Sequence, residues 1–337
     1  MIGLGRAGCW HLERLRLSES FSVISGVDDC SEAGHRAAGL VPEIATSRRN
    51  LFDDPRVELV VIATPPATHA ALALEALAAG KHVLLETPCG LSTFEVDALI
   101  EAEKRSGRSL VVAHHRRWDD DFRMARDCLA SGAIGRPTRI KFEHWQYSLP
   151  LPLSAGDRSP GSPHEVSGPG LSHWRIDPAT GGGALWEFGV HLFDQLLLLA
   201  RDVPQSVYAR TQQEAEQAVD SGFLALVIFA SGLEAHIEVN CGVAAPLETG
   251  WVIAASQGSY ARETRFTVTD DGEIIDLPLS AMRPPRDDIL MAVARHIRDG
   301  ASNPVPLAGA RAAIELVEAA RQSARTGRPV ELKGHPG

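Results

Sequence analysis

Uninterrupted apolar runs at residues 58–63 (ELVVIA), 82–85 and 109–113 alternate with Ala-rich stretches of helical period at 68–79 and 93–105. A further β-prone run covers 22–27. Strands without polar alternation are buried on both faces, and the helices between them supply the cover. The pattern therefore reads as α/β, with a doubly wound parallel sheet. After residue 120 the texture changes. A helix over 121–131 ends in a Gly-containing turn at 132–135, and long strands follow at 138–148, 223–239 and 250–255. Apolar residues alternate along 224–239, which predicts a half-buried, mostly antiparallel sheet. Residues 287–326 read as helical. The stretch 150–172 is dense in Pro, Gly and Ser and too long for a plain connection, so a lid or mobile segment is expected there. A chain of 337 residues predicts two domains, here 1–118 and 119–337.

Charge narrows the partners. Against 33 basic residues stand 43 acidic ones, a net charge of −10, whereas nucleic acid and anionic membranes select a basic face. No apolar run approaches the ~18–20 residues that span a bilayer, and no signal peptide is read. The five cysteines (Cys9, Cys30, Cys89, Cys128, Cys241) are odd in number and form no C-x-x-C pair. Neither a disulfide frame nor a zinc site is suggested. The expectation is a cytoplasmic protein without metal, nucleic-acid or membrane partners.

Gly3-Leu4-Gly5-Arg6-Ala7-Gly8 fits G-x-G-x-x-G and leads into an amphipathic helix. In that pattern the first glycine permits a tight turn, the second lets a pyrophosphate reach the backbone, and the third allows close helix–strand packing. Asp28 ends the next β-run about 20 residues beyond Gly8, where a ribose-binding acid belongs. The plainer alternative is a structural turn and a solvent-exposed Asp. Asp29 follows at once, and two carboxylates would repel a 2′-phosphate. NAD is thus expected in preference to NADP. Only Met1 and Ile2 precede Gly3, although a strand feeding this turn should have ~5–6 residues. The true start is expected upstream, and restoring it is expected to raise both melting temperature and NAD affinity.

Three further motifs follow in order. They are Ala63-Thr64-Pro65-Pro66-Ala67-Thr68-His69, Ala79-Gly80-Lys81-His82-Val83-Leu84-Leu85-Glu86-Thr87-Pro88, and Gly181-Gly182-Gly183-Ala184-Leu185-Trp186-Glu187-Phe188-Gly189-Val190-His191-Leu192-Phe193-Asp194. With the closing Gly327-Arg328-Pro329-Val330, they resemble the glucose–fructose oxidoreductase/inositol dehydrogenase/rhizopine-catabolism (Gfo/Idh/MocA) family over nearly the whole chain. The resemblance implies a Rossmann domain and a C-terminal α/β domain built on a large open sheet. That sheet would bind substrate and join a homodimer or homotetramer. It also implies that Ala63, Thr64, Pro65 and His69 wall the cofactor, with capping of its own helix as the plainer role for His69. Glu86 would lie by the nicotinamide ribose, and His115 and Arg117 would approach the nicotinamide or substrate. Two positions depart from the family pattern. Thr87 replaces the Lys of Glu-Lys-Pro, and removing one such donor costs ~3–4 kcal/mol of transition-state stabilisation. Arg117 and Arg175 could partly substitute, although an Arg does not readily release its proton. Glu187 stands where the family often has Asp.

Within the apolar stretch 184–200, Glu187, His191 and Asp194 fall at i, i+4 and i+7, one face of a helix. Burying such groups unpaired is costly. One explanation is a hydrogen-bonded seam between domains. The other, implied by the resemblance, makes His191 the general base for a substrate hydroxyl, with Glu187 orienting it or holding a hydroxyl. A metal site lacks further ligands. Trp118, Trp145, Trp174 and Trp186 suit either a sugar-stacking wall or an ordinary core, and Trp118, Trp174 and Arg175 are the expected substrate contacts beside Arg117. The resulting reading is an NAD-dependent oxidoreductase. It would transfer hydride between nicotinamide and a secondary hydroxyl or ketone of a sugar, cyclitol or polyol. Two alternatives stay open: a non-catalytic NAD- and sugar-binding sensor or scaffold, kept alive by Thr87, and an NAD-dependent glycosidase acting through transient oxidation.

Overall fold

The computed structural model describes residues 1–37, 39–45, 47–146, 174–213, 218–243, 247–262, 265–268, 274–276 and 288–332. Two compact units emerge, Met1–Trp118 with Arg286–Glu315, and Asp119–Pro285 with Leu316–Gly337. Residues 286–315, expected with the second domain, thus group with the first. Side chains far apart in sequence explain it: Arg14 Nη2 donates to Asp288 at 2.9 Å, Asn303 Nδ2 to Leu110 O at 2.9 Å, and Arg311 Nε to Asp97 at 2.6 Å.

In the first unit, β1 (Leu59–Ile62), β2 (His82–Leu85) and β3 (Leu110–Val112) form a parallel sheet in that order. Isolated parallel bridges extend it, Ile2 to both Ile62 and Val27, and Gly26 to Ile44. Counted along the chain the order is 3-2-1-4-5-6, that of doubly wound dinucleotide-binding sheets. Val60, Ile62, Val83, Leu84, Leu85, Leu110 and Val112 are wholly buried, as strands covered on both faces must be. The β-prone run 22–27 pairs through Gly26 and Val27. Covering helices start and stop on local signals. Ser92 accepts from Glu95 N to open the helix Thr93–Ser106, and Gly107, at φ 64°, ends it.

Among the described residues, the second unit is built on nine strands. They are β4 (Pro137–Gln146), β5 (Pro204–Gln212), β6 (Gly222–Phe229), β7 (Glu234–Cys241), β8 (Leu247–Ala255), β9 (Gly258–Tyr260), β10 (Arg265–Val268), β11 (Ile274–Asp276) and β12 (Val330–Glu331). Their order is β11-β10-β9-β8-β4-β7-β6-β5-β12, antiparallel except where β4 meets β7. The run 223–239 is a hairpin rather than one strand. Phe223 pairs with Val239, and the chain reverses around Gly232, whose φ of 86° needs no Cβ. Burial alternates along β7, so one face is packed. The helix Val190–Ala200 packs there: Gln195 Oε1 accepts from Trp251 Nε1 at 3.1 Å, and Phe193 meets Phe223 with ring centroids 6.3 Å apart. Where 287–326 was expected to be helical, the described residues from 288 hold two helices, Ile289–Asp299 and Leu307–Thr326, parted where Gly300 turns left-handed before Pro304 and Pro306. The Pro/Gly/Ser-rich stretch 150–172 lies outside the described residues. Among the described residues no helix is long and apolar enough to cross a membrane.

Candidate functional site

The three fingerprint glycines divide their work. A Cβ on Gly3 (φ 88°) would stand 2.5 Å from Ala63 O, and one on Gly8 would collide with Gly3 O. Gly3 and Gly8 are therefore packing requirements. A Cβ on Gly5 would meet nothing within 4 Å. Open space thus lies at the start of the helix Arg6–Leu17, which has no side-chain cap and no acid in its first turn. Unsatisfied N–H groups and the positive end of the helix dipole make that space suited to an anion. Leu4 is wholly buried, and its N–H donates to Asp28 Oδ2 at 2.6 Å; Asp28 Oδ1 accepts from Cys30 N at 2.8 Å. The acid is thereby fixed beside the loop, and each oxygen retains a second acceptor position. Arg6 and Asp29 are exposed, and Ala7 is half-buried.

The loops after β1 and β2 carry several of the expected site residues. His69 is 1 % exposed, with Nδ1 2.8 Å from Pro88 O and Nε2 2.7 Å from Thr64 O. Its ring lies between these two loops, next to the backbone of Thr64 and Pro88. Burial lowers its pKa. Thr64 and Thr68 share a hydroxyl hydrogen bond of 2.7 Å, and Pro65 is exposed. Glu86 Oε1 lies 2.6 Å from Nε2 of His11, a residue 1 % exposed, while Oε2 accepts from Thr87 N at 3.0 Å. Burial alone would raise the Glu86 pKa. The His11 hydrogen bond and the charges of His11 and His115 outweigh it, and the carboxyl is held below its usual range. Trp10 lies against both His11 and His115, at centroid distances of 4.9 and 5.5 Å. Burial lowers the His115 pKa. Arg117 is held by the backbone of its own unit. Its Nη1 donates to Pro304 O at 3.0 Å, which ties it to the connection before the last long helix. Trp118, half-buried, ends the same turn.

In the second unit the polar stripe is broken by geometry. Glu187 lies in a π-helix, Leu185–Gly189, that runs into the α-helix Val190–Ala200 holding His191 and Asp194. The wider turn shifts the phase, so the three do not form one regular α-helical stripe. Their exposure differs accordingly: the Glu187 side chain is 27 % exposed, His191 7 % and Asp194 2 %. Such π-turns are frequent at functional sites. Glu187 pairs with Arg175 at 3.3 Å, and Arg175 lies 4.2 Å over the ring of Trp174. Trp186 is core, 2 % exposed, with Arg321 above its ring. Sequence reasoning missed Asp220, whose Oδ2 accepts from Leu185 N at 2.7 Å. Burial pushes its pKa up to about 6, against the opposing pull of the N–H groups bonded to it and of Arg321. Among the described residues no group of three His, Cys, Asp or Glu could hold a metal ion.

Comparison with known proteins follows the same division. Residues 1–114 match the family model described as "Oxidoreductase family, NAD-binding Rossmann fold", and residues 122–261 match "GFO/IDH/MocA C-terminal domain". A 1,5-anhydro-D-fructose reductase of Ensifer adhaerens is 28 % identical over 257 residues, 75 % of this chain and 71 % of that protein. A myo-inositol 2-dehydrogenase of Thermotoga maritima is 23 % identical over an alignment of 352 positions, covering 99 % of this chain and 98 % of the other. Among solved structures, an NAD-binding protein from Listeria innocua superposes with a TM-score of 0.84 at 25 % identity, covering 98 % of this chain and 95 % of that one.

Proposed function

Because the chain belongs to the GFO/IDH/MocA family of NAD-binding oxidoreductases, we propose that it interconverts a secondary hydroxyl and a ketone on a sugar, cyclitol or polyol. The observation that carries this reading is the open space at Gly5, framed by a fixed Asp28, in the unit that matches the NAD-binding model. Relatives named for anhydrofructose and myo-inositol support the polyhydroxylated substrate class. The N–H groups of the turn Gly5, Arg6 and Ala7 would take the pyrophosphate. Asp28 would accept from the adenosine ribose hydroxyls, and Glu86 would serve the second ribose. Bound there, NAD supplies a hydride acceptor. The remaining chemistry falls to side chains: His191 removes the proton of the substrate hydroxyl, and the Glu187–Arg175 pair holds a neighbouring hydroxyl. Arg175 also brings a positive charge beside Glu187, and Thr87 stands where the family has lysine. Oligomerisation through the nine-stranded sheet and a cytoplasmic location complete the reading; Leu224, 42 % exposed on β6, supports the former.

Titration with NADH and NADPH by fluorescence, followed by a panel of sugars and polyols, tests it. With Asp28 and Asp29 adjacent, NAD is expected to bind at least about tenfold tighter than NADP, about 1.4 kcal/mol. Equal dissociation constants would show that neither carboxylate meets the adenosine ribose.

Thr87 makes a second test. If the site has adapted to its threonine, Thr87→Lys leaves turnover at or below the wild-type rate. A large gain from a near-zero rate would instead favour a sensor that has given up redox work.

A further inference from the structure

Gly181, Gly182 and Gly183 precede the helix of Glu187 and His191, and close approach explains two of them. A Cβ on Gly182 would collide with Arg175 O, and one on Gly183, at φ 105°, with Asp220 Oδ1. The backbone is bare here so that the turn around Arg175 and the Asp220 carboxyl can both reach it. Gly183 N donates to Arg175 O at 3.1 Å, and Gly182 N to Asp177 O at 3.0 Å. Ala184 N then donates to the main-chain oxygen of Asp220 at 2.9 Å, and Leu185 N to its carboxylate at 2.7 Å. The first N–H groups of a helix lack intrahelical partners. Here one residue, 35 positions away from Leu185, accepts from two consecutive ones. An acid at a helix start also complements the helix dipole.

We propose that Asp220 is a positioning residue for the reaction: by holding the first turn of the Leu185–Gly189 helix, it sets where Glu187 and His191 stand. The inference rests on the reading that those two side chains serve the substrate. Glu187 is held from both sides, since Gly183 also anchors the turn that carries Arg175, its ion-pair partner. A displaced first turn would therefore disturb the Glu187–Arg175 pair and the approach of His191 together. Asp28, Gly5 and Glu86 belong to the other unit and would be untouched.

The test compares Asp220→Ala, which removes the carboxylate, with Asp220→Asn, which keeps an amide oxygen for Leu185 N–H. In Asp220→Ala, hydrogen exchange over residues 184–191 is expected to speed up at least about tenfold, the ordinary consequence of releasing a capped turn. NADH affinity should stay within about twofold, and kcat on the best substrate of the panel should fall at least about tenfold. Asp220→Asn should recover most of both losses. Gly183→Ala, whose Cβ would press on the same carboxylate, reaches the contact from the other side and serves if Asp220→Ala does not fold. Three results overturn the proposal: wild-type exchange over 184–191 in a folded variant, faster exchange with kcat unchanged, or an Asn variant as impaired as the Ala variant. Failure of the underlying reading looks different. His191→Ala would then keep its turnover, or no panel compound would turn over, while the exchange comparison still decides whether Asp220 holds the helix start.

Discussion

His191→Ala is expected to lower turnover by ~10²–10⁴-fold, the usual contribution of a positioned general base, with NADH binding unchanged within about twofold. The imidazole follows directly on the π-turn, is 7 % exposed, and is the histidine of the second unit carried by the same helical segment as Glu187. Histidine is the side chain whose ordinary pKa suits taking up a proton near neutrality. Alanine removes that proton acceptor without adding bulk to the helix. Initial rates on the best panel substrate, with NADH affinity measured alongside, separate lost chemistry from lost binding. Rates that survive the substitution would assign the base elsewhere.

The second large effect lies in the buried pair of His11 and Glu86. Glu86→Leu or His11→Leu is expected to destabilise the protein by ~3–5 kcal/mol, because either leaves its partner buried without compensation. The double variant should lose less than the sum of the two. The folded-state pKa of Glu86 lies below its ordinary value. Its contribution is therefore fully present above the unfolded pKa of ~4.3 and is lost as pH falls through the folded pKa. Thermal unfolding of the wild type and of Glu86→Gln should differ most near neutrality and converge in acid below pH ~4. Parallel curves at all pH values would mean that the carboxylate charge does not stabilise the fold.

What could be read from the chain beforehand depended on how local each cause was. The parallel sheet was legible because β1, β2 and β3 are continuous apolar runs, and burial on both faces leaves no room for polar alternation. The glycine roles were legible because spacing alone sets where the turn tightens and where the helix begins. Long-range side-chain bonds were not. Arg14 reaches Asp288 across 274 positions and draws 286–315 to the first unit, and no periodicity marks such a pair. His11 looked like one more polar residue on an amphipathic helix, since its partner Glu86 lies 75 positions on. Asp220 gave no signal at all from its polar loop. The π-turn was hidden for a different reason, because the apolar pattern of 184–200 is dense enough to fit either helical phase. Arg117 donates to the backbone oxygen of Pro304, 187 positions on, another bond that no periodicity marks.

The most direct test of hydride transfer uses sugars, cyclitols and polyols deuterated at their carbinol carbons, offered to the protein loaded with NAD. The expected result is reduced nicotinamide that carries the deuterium, formed with at least one compound and lost in His191→Ala. Tight NAD binding with no reduced nicotinamide from any compound would contradict it.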